Sequence, residues 1–285
     1  MQNRTYDLLL ACVVFFWGFN FPITKIALEV LHPMVFNALR FTVSVLVMGA
    51  VFGVEVAKRT DVPAAKWTFW SSFGLKIALL GFLGHVIYQI LFVVGVDNTS
   101  AGNASLLISS APIWVAVVAH LTGIERVIGR AWMGLLLAFV GAATIIIFTS
   151  GVDLGGTSLY GNLVCLAGAV TWGAYTAFNK PLMETLSPTA LAFWTSIIGL
   201  PFLWLFSIPY WGDVSASVFS WGVWGAILFS GGLSSGLAYV FWNIGIQGVG
   251  AAQTAIYANF VPVVALISGV FMLGESVIWQ QLVGG

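Results

Sequence analysis

Residues 8–27 read LLLACVVFFWGFNFPITKIA, an apolar stretch whose one charged side chain is Lys25. A helix that crosses the hydrocarbon core of a membrane needs about 20 residues of this kind. Similar stretches follow at 34–54, 75–96, 102–121, 132–150, 159–179, 189–211, 219–245 and 251–273, and a tenth begins near Trp279. Each exceeds the roughly 10 residues of a membrane barrel strand, and none alternates apolar with polar side chains. The sequence therefore predicts an all-α polytopic membrane protein.

The composition excludes the other broad classes of protein. Of the 285 residues, 60% are hydrophobic and 7% are charged, whereas soluble domains carry roughly 25% charged residues. Too few charges are present to cover a soluble surface, and the hydrophobicity excludes disorder. The net charge of zero and the lack of a basic stripe argue against a nucleic-acid partner. The expected partners are the lipid bilayer and a small-molecule substrate.

The basic residues between the spans predict the orientation of the chain. With the N-terminus in the cytoplasm, the cytoplasmic segments hold Arg4, Lys58, Arg59, Lys66, Arg126, Arg130 and Lys180, and the opposite face holds Lys25. We therefore expect a multi-pass protein of the cell membrane with a cytoplasmic N-terminus.

The first half of the chain is repeated in the second half. An offset of 155 relates Trp17-Gly18, Lys25 and Pro33 to Trp172-Gly173, Lys180 and Pro188. An offset of 150 relates Gly95, Ala101, Pro112, Glu125 and Gly134 to Gly245, Ala251, Pro262, Glu275 and Gly284. We predict one five-helix repeat at 1–150 and a second at 151–285. Five spans are an odd number, so the second repeat is inverted in the membrane, as in many secondary transporters. Because the first repeat continues for a full helix after Glu125, we expect that the tenth helix is truncated.

On these residues the chain resembles the EamA-type ten-helix exporters of the drug/metabolite transporter superfamily. The likeness rests on Phe16-Trp17-Gly18-Phe19-Asn20 with Pro22 and Lys25, Pro33 with Arg40-Phe41, Ala111-Pro112 with Glu125, and Pro262 with Leu273-Gly274-Glu275. The resemblance implies a five-plus-five inverted bundle that exports small metabolites from a central cavity. Within the family the chain looks most like the aromatic amino-acid exporters. It departs from the expected symmetry at Thr195, which stands where Arg40 would be repeated.

Polar and aromatic side chains at membrane depth are the candidates for substrate binding, because an unpartnered amide in hydrocarbon costs several kcal/mol. The candidate residues are Trp17, Asn20, Thr24, His85, Tyr88, Gln89, Asn103, Trp114, Trp172, Tyr175, Asn179, Tyr239, Trp242 and Tyr257. The alternative is that some of them form hydrogen bonds between helices.

The charged residues near the spans are interpreted as gating or structural groups. Lys25 and Lys180 lie near span ends, where they extend to the interface or attract a carboxylate at a cavity mouth. Arg40 lies deeper, and we interpret it as structural. Glu125 and Glu275 resemble caps of tight turns. No Asp or Glu lies at the centre of a span.

The predicted function is transport of neutral or aromatic amino acids by alternating access, by uniport, because a central proton-exchanging carboxylate is missing. The alternative is export of other metabolites or drugs with proton coupling, for which His85 is the one central group that titrates near neutral pH. An intramembrane serine protease is a further alternative, because Gly232-Leu233-Ser234-Ser235-Gly236 matches G-x-S-x-G. We expect no enzyme activity, no cofactor and no metal, since metal-ligand spacings and phosphate loops are missing. The oligomeric state stays open, although a monomer with inverted repeats can work alone.

Overall fold

The computed structural model describes residues 2–58, 67–124, 157–215, 218–249 and 257–276, with a few isolated positions between them. This part of the chain is helical and contains no strand. The first half holds α1 (Gln2–Leu28), α2 (Pro33–Lys58), α3 (Trp67–Phe82), the π-helical segment π1 (Leu83–Ile87), α4 (Tyr88–Asp97), α5 (Ala101–Ile108) and α6 (Ala111–Leu121). The second half holds α7 (Thr157–Leu182), α8 (Pro188–Ser207), α9 (Trp221–Leu228), the π-helical segment π2 (Phe229–Leu237), α10 (Ala238–Val249) and α11 (Val261–Leu273).

Six helical stretches of the described residues are long and apolar enough to cross a membrane, which confirms a polytopic helical membrane protein. They are Arg4–Leu28, Pro33–Lys58, Ser71–Asp97, Ala101–Leu121, Pro188–Tyr210 and Trp221–Val249. In addition, α7 covers the predicted span 159–179, and α11 covers the second part of 251–273. Most of the predicted span 132–150 and of the tenth helix lies outside the described residues.

Serine and proline residues define where several helices begin. The side chains of Ser100, Ser187 and Ser220 each accept a hydrogen bond from the backbone N–H three residues later, and these begin α5, α8 and α9. Such caps satisfy one of the unpaired N–H groups of a helix start. Pro188 follows its cap at the first helical position, where its missing N–H has no cost.

The predicted span 102–121 falls within the membrane-spanning stretch Ala101–Leu121, in which a turn at Ser109 and Ser110 separates α5 from α6. Pro112 at the start of α6 cannot donate the hydrogen bond that the Ile108 carbonyl would receive in a continuous helix. The second repeat has the same break, a turn at 259–260 followed by Pro262 at the start of α11. Pro112 and Pro262, which are 150 residues apart, therefore each follow a turn and lie at the start of a helix.

Contacts between the repeats also occur in equivalent pairs. In one pair α1 packs on α11, and in the equivalent pair α7 packs on α6. In addition, α2 packs on α8, which is its own equivalent in the second half. Glycines lie at these and other helix crossings, where a Cβ atom would come within 2.8 Å of the facing helix. The equivalent contacts are Gly18 with Val264 and Gly173 with Trp114, Gly81 with Thr195 and Gly231 with Arg40, and Gly95 with Cys165 and Gly245 with Leu10. The same offsets that relate the sequences thus relate the packing.

The third helical unit of each repeat contains a π-helical segment, π1 in one and π2 in the other. A π-helical turn leaves the regular i+4 ladder and frequently marks a functional site. In π2 the backbone carbonyl of Ser234 accepts a hydrogen bond of 3.0 Å from the Trp17 indole Nε1–H. The irregular backbone of the second repeat is therefore held by a side chain of the first.

Candidate functional site

A cavity lies where α1, α2, α4, α7, π2 and α10 meet the two helix breaks. Its lining comprises Trp17, Asn20, Phe21, Arg40, Tyr88, Gln89, Phe92, Ile108, Ser109, Ala111, Pro112, Val115, Trp172, Thr176, Ser234, Ser235, Tyr239, Trp242, Ala258 and Val261. The volume of the cavity is about 50 Å³. A compact solute fits this volume more closely than a large one, which would require the walls to separate.

Aromatic rings from both repeats form one wall of the cavity. Trp17 lies 5.8 Å from its equivalent Trp172 and 4.8 Å from Trp242, measured between ring centroids. Trp172 in turn lies 4.8 Å from Tyr88 and 5.0 Å from Tyr239. Ring faces of this kind bind apolar groups and cations.

Arg40 on α2 contributes a cation to the cavity, and its side chain is 1% exposed. Nε donates to Asn37 Oδ1 at 3.0 Å, Nη2 donates to Gln89 Oε1 at 2.6 Å, and Nη1 donates to the hydroxyls of Ser230 and Ser235 at 3.2 and 3.4 Å. The guanidinium also lies 4.9 Å from the centroid of the Phe92 ring. All these partners are neutral. The sequence indicated a structural role for Arg40, and the structure places it in the cavity wall.

Gln89 links Arg40 to the second repeat. Its Oε1 accepts from Arg40, so its Nε2 is the donor that reaches Tyr239 Oη at 2.8 Å. These bonds connect α2, α4 and α10 around the cavity. Two further lining residues keep unpaired polar atoms, since Trp242 Nε1 and Thr176 Oγ1 are buried without a hydrogen-bond partner among the described residues. Buried polar atoms of this kind require a water or a ligand.

His85 on π1 is fully buried and lies outside the cavity lining. Its Nε2 lies 2.9 Å from Thr195 Oγ1 and 3.2 Å from Tyr175 Oη. Because the Thr195 hydroxyl donates to the Leu191 carbonyl at 2.7 Å, it accepts from His85 Nε2–H. His85 and Tyr175 were both candidates for substrate contact, and the structure places them behind the wall as a hydrogen-bonded group.

Several of the remaining candidates also lie off the cavity. The lining includes Trp17, Asn20, Tyr88, Gln89, Trp172, Tyr239 and Trp242, and it does not include Thr24, Asn103, Trp114, Asn179 and Tyr257. The Thr24 hydroxyl reaches Asn20 Oδ1 along α1, and the Tyr257 hydroxyl donates to Asp7 Oδ1 at 2.6 Å near the start of α1. Sequence reasoning passed over Phe21 and Phe92, because apolar rings carry no signal that separates cavity from core.

Two charged side chains hold the turn between α4 and α5 from opposite sides. Lys25 Nζ donates to the carbonyls of Val96 and Thr99 at the end of α4. The Glu275 carboxylate accepts from the backbone N–H groups of Ala101 and Gly102, at 2.8 and 3.1 Å, at the start of α5. A cation at a helix C-terminus and an anion at an N-terminus both match the helix dipole.

The other gating candidates are less informative. Lys180 is half-buried near the end of α7, and Glu125 lies outside the described residues. Glu275 reaches α5 because Gly274 adopts the left-handed conformation, with φ of 66°, and ends α11.

The α1–α2 turn is held by His32, whose ring stacks on Tyr210 with centroids 3.5 Å apart. Desolvation lowers the pKa of His32, against the opposing effect of Asp97 and Asp213.

The G-x-S-x-G motif falls in π2, where one serine hydroxyl and one serine backbone carbonyl accept hydrogen bonds from the first half of the chain. Ser235 Oγ accepts from Arg40, and the Ser234 carbonyl accepts from Trp17. His85 is bonded to Thr195 and His32 stacks on Tyr210, so neither histidine serves as a base for Ser234. Within the described ranges, no group of three or more His, Cys, Asp or Glu side chains could hold a metal ion.

Comparison with known proteins gives one family. A profile described as the EamA-like transporter family matches residues 4–147 and 159–285. The chain is 27% identical over 286 residues to an uncharacterized transporter, YyaM, of Bacillus subtilis, with 100% of this chain and 91% of that protein covered. It is 26% identical over 281 residues to an uncharacterized transporter of Archaeoglobus fulgidus, with 97% and 93% covered.

Another relative has a more specific name. A protein of Streptantibioticus cattleyicolor named a probable terminal-alkyne amino-acid exporter is 28% identical over 291 residues, with 100% of this chain and 90% of that protein covered. A solved crystal structure matches the fold with a TM-score of 0.71 at 17% identity, covering 98% of this chain and 91% of that one.

Proposed function

The chain belongs to the EamA-like transporter family, and from this membership we propose that it carries neutral or aromatic amino acids across the cell membrane by alternating access. The observation that carries the proposal is the central cavity. It is built from both repeats, its wall is aromatic, and none of its lining residues among those that the structure describes is an Asp or a Glu. A solute that is partly apolar and has no net charge matches these walls. The name of the Streptantibioticus relative supports amino acids as the substrate class.

The pairing of contacts between the repeats supports alternating access. In inverted-repeat transporters the substrate site lies near the midplane, and discontinuous helices contribute to it. Here the breaks at Ser109–Ser110 and 259–260 both border the cavity, through Ile108 and Ala258. Rearrangement of equivalent contacts between the halves would open the cavity to either side in turn. The basic residues of the loops favour a cytoplasmic N-terminus, and export is the direction that we propose.

Uniport is the proposed coupling mode. A proton-coupled carrier keeps a titratable group where it can exchange protons with the substrate site. The described part of the cavity lining has no carboxylate and no histidine, and His85 is enclosed by Thr195 and Tyr175 behind the wall. The substrate gradient alone would therefore drive flux.

Flux measurements in liposomes test the proposal. The purified protein would be reconstituted into liposomes, and the liposomes would be loaded with a panel of labelled amino acids, from alanine to tryptophan. Efflux would be measured with and without an imposed proton gradient. We expect efflux of several neutral amino acids that is the same in both conditions. A correctly folded protein that moves none of them contradicts the proposed function, and efflux that requires the proton gradient contradicts uniport.

A matched pair of tryptophan variants identifies the site of transport. Trp172 lines the cavity and is 5% exposed, whereas Trp221 at the start of α9 is 93% exposed. We expect Trp172→Ala to lower flux at least about tenfold, because the wall loses its central ring. Trp221→Ala removes the same side chain away from the cavity and should retain flux.

A further inference from the structure

We infer that the Arg40 guanidinium is the subsite that binds the carboxylate of the transported solute. The inference rests on the proposed function and deepens it, because it names the group of the solute that the cavity recognises. It reverses the structural role that the sequence suggested for Arg40.

Arg40 is a buried cation for which the described residues around it provide no counterion. Its four hydrogen bonds go to one asparagine, one glutamine and two serine side chains. The acidic residues that the structure describes lie at or beyond the ends of the spans: Asp7, Glu29, Glu55, Asp97, Glu184, Asp213 and Glu275. An uncompensated charge at membrane depth is costly and marks a functional site by default. An anionic group entering the cavity would supply the missing counterion.

The shape of the guanidinium favours a carboxylate as that anion. Its planar donors match two carboxylate oxygens, and charge-assisted bonds of this kind are about twice as strong as neutral ones. Arg40 has five N–H groups, of which four have acceptors among the described residues. The remaining Nη2–H can donate to a carboxylate. Nη1 can also exchange its weaker serine contacts, of 3.2 and 3.4 Å, for a carboxylate oxygen.

The asymmetry of the repeats limits the subsite to one negative charge. Thr195 stands at the position equivalent to Arg40, and it is bonded to His85. Among the described residues, the cavity lining therefore contains one cation, Arg40. The negative charge of a single carboxylate balances the charge of Arg40, whereas the negative charge of a diphosphate would exceed it. The aromatic wall of Trp17 and Trp172 is then available for the rest of the solute, including an ammonium group.

Asn37 offers an isosteric test of the subsite. Its Oδ1 accepts from Arg40 Nε at 3.0 Å, while its Nδ2 is buried without a partner among the described residues. Asn37→Asp replaces the unpaired NH₂ with a second oxygen and gives Arg40 a permanent carboxylate. We expect this variant to fold with higher thermal stability and to lose affinity for carboxylate solutes, because the counterion position is already filled. A purely structural Arg40 predicts unchanged solute affinity in Asn37→Asp.

The experiment compares three solutes of one shape: L-leucine, isopentylamine without the carboxylate, and isocaproate without the amine. Thermal shifts of the purified protein would be measured for the natural chain, Arg40→Gln, Arg40→Lys and Asn37→Asp. The matched control is Lys76→Gln, since Lys76 is an exposed cation of α3 that lies against Phe73 rather than the cavity. We expect isocaproate and leucine to raise the melting temperature of the natural chain and of Lys76→Gln, and isopentylamine to leave it unchanged.

In Arg40→Gln and Asn37→Asp the stabilisation by isocaproate should weaken about 10- to 100-fold in apparent affinity, with a smaller loss in Arg40→Lys. Stabilisation by isopentylamine equal to that by isocaproate overturns the inference, as does an undiminished isocaproate shift in Asn37→Asp. A failure of the proposed function gives a different result: leucine flux in liposomes would be absent, while isocaproate would still raise the melting temperature.

Discussion

Gln89 and Tyr239 stand at equivalent positions of the two repeats, 150 residues apart, and they hydrogen-bond to each other, with Gln89 Nε2 donating to Tyr239 Oη at 2.8 Å. Two equivalent residues can meet only where the approximate two-fold axis between the repeats passes. This pair therefore marks the centre of the bundle. Arg40 adjoins it on one side through Gln89 Oε1, and on the other side the ring of His85 lies 5.7 Å from that of Tyr239.

The Gln89–Tyr239 bond should stabilise the contact between the repeats. Tyr239→Phe leaves the buried Gln89 amide without its acceptor, so we expect the free energy of unfolding to fall by about 1–3 kcal/mol. A double-mutant cycle with Gln89→Leu measures the coupling between the two side chains. Tyr160→Phe on α7 is the control, since Tyr160 is 54% exposed. A coupling energy of zero contradicts the assignment.

Gly231 should tolerate no side chain. A Cβ atom there would overlap the Arg40 carbonyl oxygen, and a backbone atom of α2 cannot move aside as a side chain can. We expect Gly231→Ala to lower the melting temperature strongly or to prevent folding. Gly53 lies on α2, and a Cβ atom added there would meet nothing within 4 Å among the described residues, so Gly53→Ala should retain the stability of the natural chain. Equal stability of the two variants would contradict the close contact between the α2 and π2 backbones.

The break between α5 and α6 should depend on Pro112. Replacement by alanine restores an N–H that can bond to the Ile108 carbonyl, and a continuous helix would move the Ile108–Ser109 wall of the cavity. We expect Pro112→Ala to lower amino-acid flux at least about tenfold with unchanged or higher thermal stability. The control is Pro188→Ala, because Pro188 starts α8 at a position where an N–H is neutral. Undiminished flux in Pro112→Ala would exclude a role for the break in transport.

The Glu275 carboxylate should stabilise the start of α5. Glu275→Gln removes its charge and one of its two acceptors for the N–H groups of Ala101 and Gly102. We expect a loss of about 0.5–2 kcal/mol in the free energy of unfolding, the usual contribution of a helix cap. Glu29→Gln, at an exposed position after α1, is the charge-matched control. If both variants unfold at the same temperature, the cap contributes no stability.

The length of the apolar runs predicted the helices well because the thickness of the bilayer sets that length, and the offsets of 155 and 150 recur in the glycine contacts. The helix breaks were not predicted, although Pro112 and Pro262 mark the repeat. A proline in a membrane span is compatible with a kink or a break, and the neighbouring helices select between them. For the site, Trp17 and Trp172 were predicted and line the cavity, while His85 was predicted and lies behind it.

The amino-acid sequence by itself determined that the chain spans the membrane many times and that its halves are related, because apolar length and repeat spacing are local properties of the chain. Only the tertiary structure decided which polar side chains share a cavity. The partners of Arg40 in other helices come from positions 49, 190 and 195 residues further along the chain. Whether a buried polar group faces a partner or an open space depends on the helix opposite it, and no local pattern encodes that neighbour. Arg40 therefore changed from a structural residue to the centre of the candidate site.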